Sequence, residues 1–268
     1  MKIGLIGTGN MGGAILRGYT SAHPNEAENC YIYDLNAEAA EKLQALTGAA
    51  IVGSIAEVVQ NADLTIIAVK PYHYDNVLPL IVACDLSEKT IMTIAAGITI
   101  DKVEKTLGTE TPIIRIMPNT PAGVLAGMTA VWQNGKVDKA VFDSVMELLS
   151  SFGKAIEIDD EEQVHAVIGA SGSSPAYAYM FIDAIAKASE KEGLRYEDAL
   201  VFAAQSVMGA AKMVMESGMD PTSLRIAVCS PNGTTSEAVH KLQENGFERN
   251  VEEAVHAAAE RSREMSQE

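Results

Sequence analysis

Hydrophobic positions in the first half of the chain come in short unbroken runs, separated by stretches of helical periodicity. The runs are Lys2-Ile3-Gly4-Leu5-Ile6, Tyr31-Ile32-Tyr33, Leu64-Thr65-Ile66-Ile67-Ala68-Val69, Ile91-Met92-Thr93-Ile94-Ala95-Ala96-Gly97 and Ile113-Ile114-Arg115-Ile116-Met117. A run apolar at successive positions suits a strand buried on both faces, as in a parallel sheet. Between the runs, Met11–Tyr19, Ala37–Leu46 and Ser54–Gln60 read as helices, with Ser54 an N-cap for the last. Strand and helix in alternation predict an α/β fold with a doubly wound parallel sheet, whose ligand crevice lies at the carboxyl ends of its strands.

From about Asp160 the pattern changes. Gln163–Glu192, Tyr196–Ser217 and Val251–Glu264 read as long Ala-rich helices with no strand between them. Two domains are expected: residues 1–160, a Rossmann-type dinucleotide-binding domain, and residues 161–268, an all-α domain. Met180, Met208, Met213 and Met215 recur at helical spacings that suit a core or a subunit interface. Helices as apolar as Ala184–Ala188 and Ala203–Ala211 often bury one face against another subunit. A homodimer through the helical domain, or a larger homo-oligomer, is therefore expected.

The first strand leads directly into Gly7-Thr8-Gly9-Asn10-Met11-Gly12, a G-x-G-x-x-G turn opening a helix. Gly7 allows the tight turn, Gly9 lets a pyrophosphate approach the backbone, and Gly12 lets the helix pack closely, leaving its first amides for the phosphates. Asp34 closes the second strand 22 residues beyond Gly12, where the dinucleotide fingerprint places the acid that meets the ribose. Three more turns end strands at the expected crevice: Lys70-Pro71, Ala95-Ala96-Gly97 and Pro118-Asn119-Thr120-Pro121. They border a cofactor or simply end strands.

Bulk properties narrow the partner. A formal charge of −16 argues against nucleic acid or an anionic membrane as partner and fits a soluble enzyme with a small-molecule substrate, although the charge does not identify that substrate. Cys30, Cys84 and Cys229 form no C-x-x-C pair, so neither a disulfide framework nor a metal site is expected. No basic leader with an apolar core opens the chain, and no apolar run reaches the ~20 residues that span a bilayer, so a cytoplasmic enzyme is expected.

Two segments of the helical half depart from ordinary helix. In Gly169-Ala170-Ser171-Gly172-Ser173-Ser174-Pro175-Ala176-Tyr177, small residues and a proline interrupt the pattern, for close approach of a ligand or for tight helix packing. In Cys229-Ser230-Pro231-Asn232-Gly233-Thr234-Thr235-Ser236-Glu237, Thr234 and Glu237 fit a capping box, so a helix begins there. The segment is either a well-capped helix or a carboxylate site built on the amides of Gly233, Thr234 and Thr235.

These segments, taken with Ala68-Val69-Lys70-Pro71, Ala95-Ala96-Gly97 and Met117-Pro118-Asn119-Thr120-Pro121, resemble the pyrroline-5-carboxylate reductases in order and over the whole length. The resemblance implies NAD(P)H-dependent reduction of 1-pyrroline-5-carboxylate to L-proline, the last step of proline biosynthesis. It implies that Gly7, Thr8, Gly9, Asn10 and Met11 hold the pyrophosphate, and that Ala68, Val69, Lys70, Pro71, Ala95 and Gly97 border the nicotinamide half. It implies that Ser230, Gly233 and Thr234 bind the substrate carboxylate, with Thr235 the catalytic hydroxyl near its nitrogen. It also implies a helical domain intertwined with that of a partner subunit.

Two departures from the family pattern carry expectations. Asn232 stands where Gly is usual, and Asn best tolerates the left-handed backbone such a turn needs. Asp34-Leu35-Asn36 stands where NADPH-using relatives place small hydroxyl residues. A carboxylate suits the free 2′-hydroxyl of NADH and repels a 2′-phosphate, so the cofactor is NADH, or both NADH and NADPH. Lys42, one turn along the next helix, is too distant for a phosphate ligand, and His165 and His240 read as helix-surface histidines.

Two other functions fit parts of the pattern. A β-hydroxyacid dehydrogenase needs a lysine base a short way past a glycine pair, yet no lysine follows Gly172 before Lys187. A nucleotide-sensing relative without activity would be indicated by loss of Thr234 and Thr235, and both are present.

Overall fold

The computed structural model describes residues 1–267. Eight strands, β1 (Ile3–Ile6), β2 (Cys30–Tyr33), β3 (Ala50–Ile51), β4 (Leu64–Ile67), β5 (Thr90–Thr93), β6 (Ile113–Met117), β7 (Gly127–Gln133) and β8 (Gly153–Glu157), form one sheet. Their order is β3-β2-β1-β4-β5-β6-β7-β8. Only β6 and β7 pair antiparallel. The connection 118–126 between them is too short for the crossover a parallel pair requires. Every residue of β1, β4, β5 and β6 is buried, which is why those strands read as unbroken apolar runs.

Successive strand residues feed opposite layers. Leu5, Ile66 and Ile114 join Ile15 and Leu16 of α1 (Asn10–Ala22) and Leu43 of α2 (Ala37–Thr47). Their neighbours Ile6, Ile67 and Ile113 turn the other way. There they pack on Val58 of α3 (Ile55–Asn61), Leu78 of α4 (Tyr74–Val82) and Val103 of α5 (Ile100–Leu107). Helix α6 (Lys139–Ser150) adds Val145 and Leu148 to the first layer. Ser54 caps α3 by accepting from Glu57 N at 3.2 Å, and Glu57 accepts from Gly53 N at 3.0 Å.

The remaining helices are α7 (Gln163–Val167), α8 (Ser174–Lys191), α9 (Tyr196–Glu216), α10 (Pro221–Val228), α11 (Thr234–Glu244) and α12 (Phe247–Gln267). The continuous helix expected over Gln163–Glu192 is broken by a π-helical turn at Ile168–Gly172. Ser173 N bonds Ile168 O at 2.7 Å there, and Pro175 restarts the helix in the first turn of α8, where no amide is needed.

The chain divides into two compact units. A sheet unit comprises Met1–Ser173 with the chain from Ala257 onward, and a helical unit comprises Ser174–His256. Residues 161–173 therefore belong to the sheet unit, where Val164 is buried beside Met117 and Ala130.

The helical unit buries little of its own apolar surface. In α8 only Ala186 is buried, and in α9 only Ala199 and Ala203. Met180 is 73% exposed and Phe202 65%, and Met208, Met213 and Met215 are exposed as well. These methionines are thus not core. By length and composition α9 could cross a membrane, with mean hydropathy 1.2 over its apolar window, although no uninterrupted apolar run of that length stands in the sequence.

Candidate functional site

The turn after β1 has the geometry its glycines suggest. Gly7 has φ 97°, and a β-carbon there would lie 2.8 Å from the Ala68 carbonyl oxygen. A β-carbon on Gly12 would lie 2.9 Å from that of Ala68, so helix and strand can close only without one. At Gly9 a β-carbon would meet no protein atom within 4 Å, because the residue faces a cavity of about 1110 Å³. The first helical bond of α1 runs from Gly13 N to Gly9 O at 2.8 Å. The amides of Asn10 and Met11 precede it, and no acidic side chain occupies this first turn. An anion-receiving helix start therefore opens on the cavity, as a dinucleotide pyrophosphate requires.

The same cavity gathers residues from four turns: Thr8, Gly9, Asn10 and Met11 after β1, Ala68, Val69, Lys70 and Pro71 after β4, Ala95 after β5, and Pro118 and Thr120 after β6. Gly97 does not line it but has φ 79°, and a β-carbon there would lie 3.0 Å from the carbonyl of Met265, a lining residue of α12. Met265 was missed in the sequence because it lies far from every motif. Asp34 is held by its own turn. Its Oδ2 accepts from the Thr8 amide at 2.6 Å and the Thr8 hydroxyl at 3.0 Å, and Oδ1 accepts from the Asn36 amide at 2.9 Å. Lys42, expected to lie too far along α2, lines this cavity, as does Arg17 of α1. Helical side chains lean toward the N-terminus of their helix, which brings Lys42 back toward the crevice.

Buried polar groups fix the crevice walls. The Tyr74 hydroxyl donates to Ile67 O at 3.0 Å and meets Thr93 Oγ1 at 2.6 Å, tying the ends of β4 and β5 together. Burial raises the pKa of this phenol, so it stays protonated. Asn119 Nδ2 donates to Ser171 O at 3.1 Å, while its Oδ1 accepts from Met128 N at 2.9 Å. The Pro118–Pro121 turn is thereby bound to the π-helical turn. Arg115, 1% exposed, pairs with Glu161 at 2.6 Å, and the same Glu161 oxygen accepts from the Ile100 amide at 2.9 Å.

His165 is a correction. It is buried rather than on a helix surface, with Nδ1 2.7 Å from Ser262 Oγ. Burial lowers its pKa from the ordinary value, opposed by Glu162. His240 is exposed and pairs with Glu244 at 3.1 Å. Burial pushes the Cys30 thiol up to about 12, which makes it unreactive. Among the described residues no group of three or more His, Cys, Asp or Glu could hold a metal ion.

In the helical unit, Asn232 takes φ 56°, the left-handed conformation expected of it. The capping box does not form. Gly233 is the N-cap of α11, and Thr234 is already inside the helix. Gly233 N bonds Ser230 O at 3.0 Å, and Ser236 Oγ bonds the same carbonyl at 2.6 Å. The Gly233 amide is thus occupied, and the amides left without an intrahelical partner at this helix start are those of Thr234, Thr235 and Ser236. A β-carbon on Gly233 would overlap the Ser230 hydroxyl, which would have to turn away, and would lie 3.1 Å from the Ser230 carbonyl oxygen.

Comparison with known proteins gives matches over both halves of the chain. Residues 161–265 match the pyrroline-5-carboxylate reductase dimerisation family, and residues 2–97 match the coenzyme F420-dependent NADP oxidoreductase family. The pyrroline-5-carboxylate reductase of Escherichia coli K12 is 43% identical over 99% of this chain and 98% of its own. A pyrroline-5-carboxylate reductase structure from Coxiella burnetii superposes with a TM-score of 0.92 at 31% identity, covering 99% of this chain and 98% of that one. The Plasmodium falciparum enzyme, solved with NADP bound, gives a TM-score of 0.89 at 31% identity, covering 99% and 98%. A sheet unit whose glycine turn opens on a cavity and a helical unit carrying a dimerisation-family match agree with a single assignment: the chain belongs to the pyrroline-5-carboxylate reductase family of NAD(P)H-dependent oxidoreductases.

Proposed function

We propose that the protein reduces the ring imine of 1-pyrroline-5-carboxylate to L-proline, completing proline biosynthesis. The observation that carries this is a match to pyrroline-5-carboxylate reductases over the whole chain, the helical half included. It favours a reductase of this imine over a β-hydroxyacid dehydrogenase or a silent nucleotide sensor.

Reduced nicotinamide, when bound, supplies the hydride. On this proposal Gly7, Thr8, Gly9, Asn10 and Met11 hold the pyrophosphate. Ala68, Val69, Lys70, Pro71, Ala95 and Gly97 border the nicotinamide half. The free amides at the start of α11, shaped by Ser230, Gly233 and Thr234, receive the substrate carboxylate. The Thr235 hydroxyl, which can donate or accept, hydrogen-bonds the ring nitrogen. A protonated imine carbon is already electrophilic. As hydride adds there, the π pair becomes the nitrogen lone pair, and the residues mainly orient the ring.

Asp34 suits a free ribose 2′-hydroxyl, so we assign NADH, or both NADH and NADPH, as cofactor. Residues 1–160 would bind the dinucleotide and residues 161–268 the substrate and a second subunit, in a homodimer or a larger homo-oligomer. The exposed apolar side chains of α8 and α9 support burial against that subunit. Three free cysteines suit the reducing cytoplasm.

Kinetics of Thr235→Ala test the site. Loss of one hydrogen bond to a charge-changing nitrogen should lower kcat roughly ten- to a hundredfold. NADH affinity should not change, and Thr235→Ser should recover most of the rate. An unchanged kcat would remove Thr235 from the mechanism.

A further inference from the structure

Two cations of the sheet unit belong to no motif, yet both line the cavity that is also lined by Thr8, the residue that holds Asp34. Arg17 of α1 and Lys42 of α2 line it, and neither has an ion-pair partner among the described residues, in a chain with 36 acidic and 20 basic side chains. Their placement follows from helix geometry. Residues of adjacent helices that lean toward their N-termini converge at the carboxyl edge of the sheet. Arg17 shows this directly: a β-carbon on Gly13 would lie 3.6 Å from Arg17 Nη1, 3.6 Å from Leu43 Cδ1 and 3.5 Å from the Thr8 carbonyl. The guanidinium is thus folded back toward the first turn of α1, at Gly13, which Leu43 of α2 and the Thr8 carbonyl also border; Thr8 in turn holds Asp34 through its amide and hydroxyl.

We propose that Arg17 and Lys42 form the receiving site for the 2′-phosphate of NADPH, so that the chain accepts both dinucleotides despite Asp34. The proposal rests on the assignment of this cavity to a dinucleotide. Asp34 alone would repel a phosphate, but three donors already engage its two oxygens: the Thr8 amide, the Thr8 hydroxyl and the Asn36 amide. Its charge is partly offset and its position fixed. A guanidinium presents paired N–H donors that match phosphate oxygens, and an ammonium adds a mobile point charge from the opposite helix. The free hydroxyl of NADH needs neither cation.

Equilibrium titrations separate the outcomes. Wild type, Arg17→Ala, Lys42→Ala and the charge-keeping Arg17→Lys would each be titrated with NADPH, NADH, 2′,5′-ADP and 5′-AMP, after circular dichroism establishes that each is folded. Arg17→Ala and Lys42→Ala should each weaken NADPH and 2′,5′-ADP roughly tenfold, the scale of one charge-assisted hydrogen bond. NADH and 5′-AMP should change less than about twofold, and Arg17→Lys should retain part of the NADPH affinity. Equal weakening of NADH and NADPH would overturn the proposal by assigning the cations to the pyrophosphate. Unchanged NADPH affinity would overturn it outright. A wild type that binds neither dinucleotide would instead overturn the cofactor assignment, and the proposal with it.

Discussion

At the scale of single residues, three hydrogen bonds fix where the charge of Asp34 sits, and on the proposed cofactor assignment that charge meets the ribose. Asp34→Ser should raise the ratio of kcat/KM for NADPH over NADH by about tenfold, by removing a carboxylate beside a 2′-phosphate. An unchanged ratio would mean that Asp34 does not face the ribose. His165 gives a pH-dependent prediction. Its folded pKa lies below the ordinary value of 6.5 because burial disfavours the charged ring. Below that value the unfolded chain binds a proton that the folded chain resists, so this contribution to stability is lost as pH falls from about 6.5. Thermal midpoints measured from neutral to mildly acidic pH should fall more steeply for wild type than for His165→Gln. Residues whose type is dictated by their own backbone were legible in the sequence: Gly7 at φ 97° and Asn232 at φ 56°. His165 was not, because its partner Ser262 lies 97 residues away.

At the scale of elements, one ion pair joins three segments. Glu161 lies just before α7, pairs with Arg115 in the middle of β6 and receives the first amide of α5. Glu161→Ala would leave a buried guanidinium without its counter-charge, at a cost of about 3 kcal/mol. Denaturant unfolding should show that loss, and a change within a few tenths of a kcal/mol would remove the pair from the stability of the sheet unit. The fully buried strands β1, β4, β5 and β6 were legible as apolar runs, since burial on both faces leaves no polar alternation. Neither the two-residue β3 nor the partly exposed β7 stood out in that way. Nor did β8. Its residues are half-buried or exposed, so its composition does not separate it from a loop. The Thr234–Glu237 capping box failed for a local reason. Gly233 closes on Ser230 and takes the cap position itself, which places Thr234 one residue inside the helix. Lys42 lines the cavity because helical side chains lean toward the start of their helix, which a count of turns leaves out.

At the scale of the whole molecule, the helical unit exposes more apolar surface than a solitary subunit usually leaves in water, with Met180, Val201, Phe202 and Met215 all exposed. Sedimentation equilibrium should therefore give a dimer or a larger assembly. Phe202→Asp, which places a charge on the α9 face, should shift that equilibrium toward monomer. A wild-type monomer at micromolar concentration would contradict the proposed assembly. The change from strand–helix alternation to continuous helix was plain in the sequence. The division of the chain was not, because residues 161–173 and the end of α12 join the sheet unit through contacts distant in sequence, such as His165 with Ser262.

The central claim is that this chain transfers hydride to a cyclic imine. The most direct test incubates the purified protein with 1-pyrroline-5-carboxylate and NADH or NADPH, following loss of reduced-nicotinamide absorbance while L-proline is quantified by chiral chromatography. Formation of L-proline in one-to-one proportion with the reduced cofactor consumed is the predicted result. Cofactor that binds but is not oxidised, with no proline formed, would contradict it.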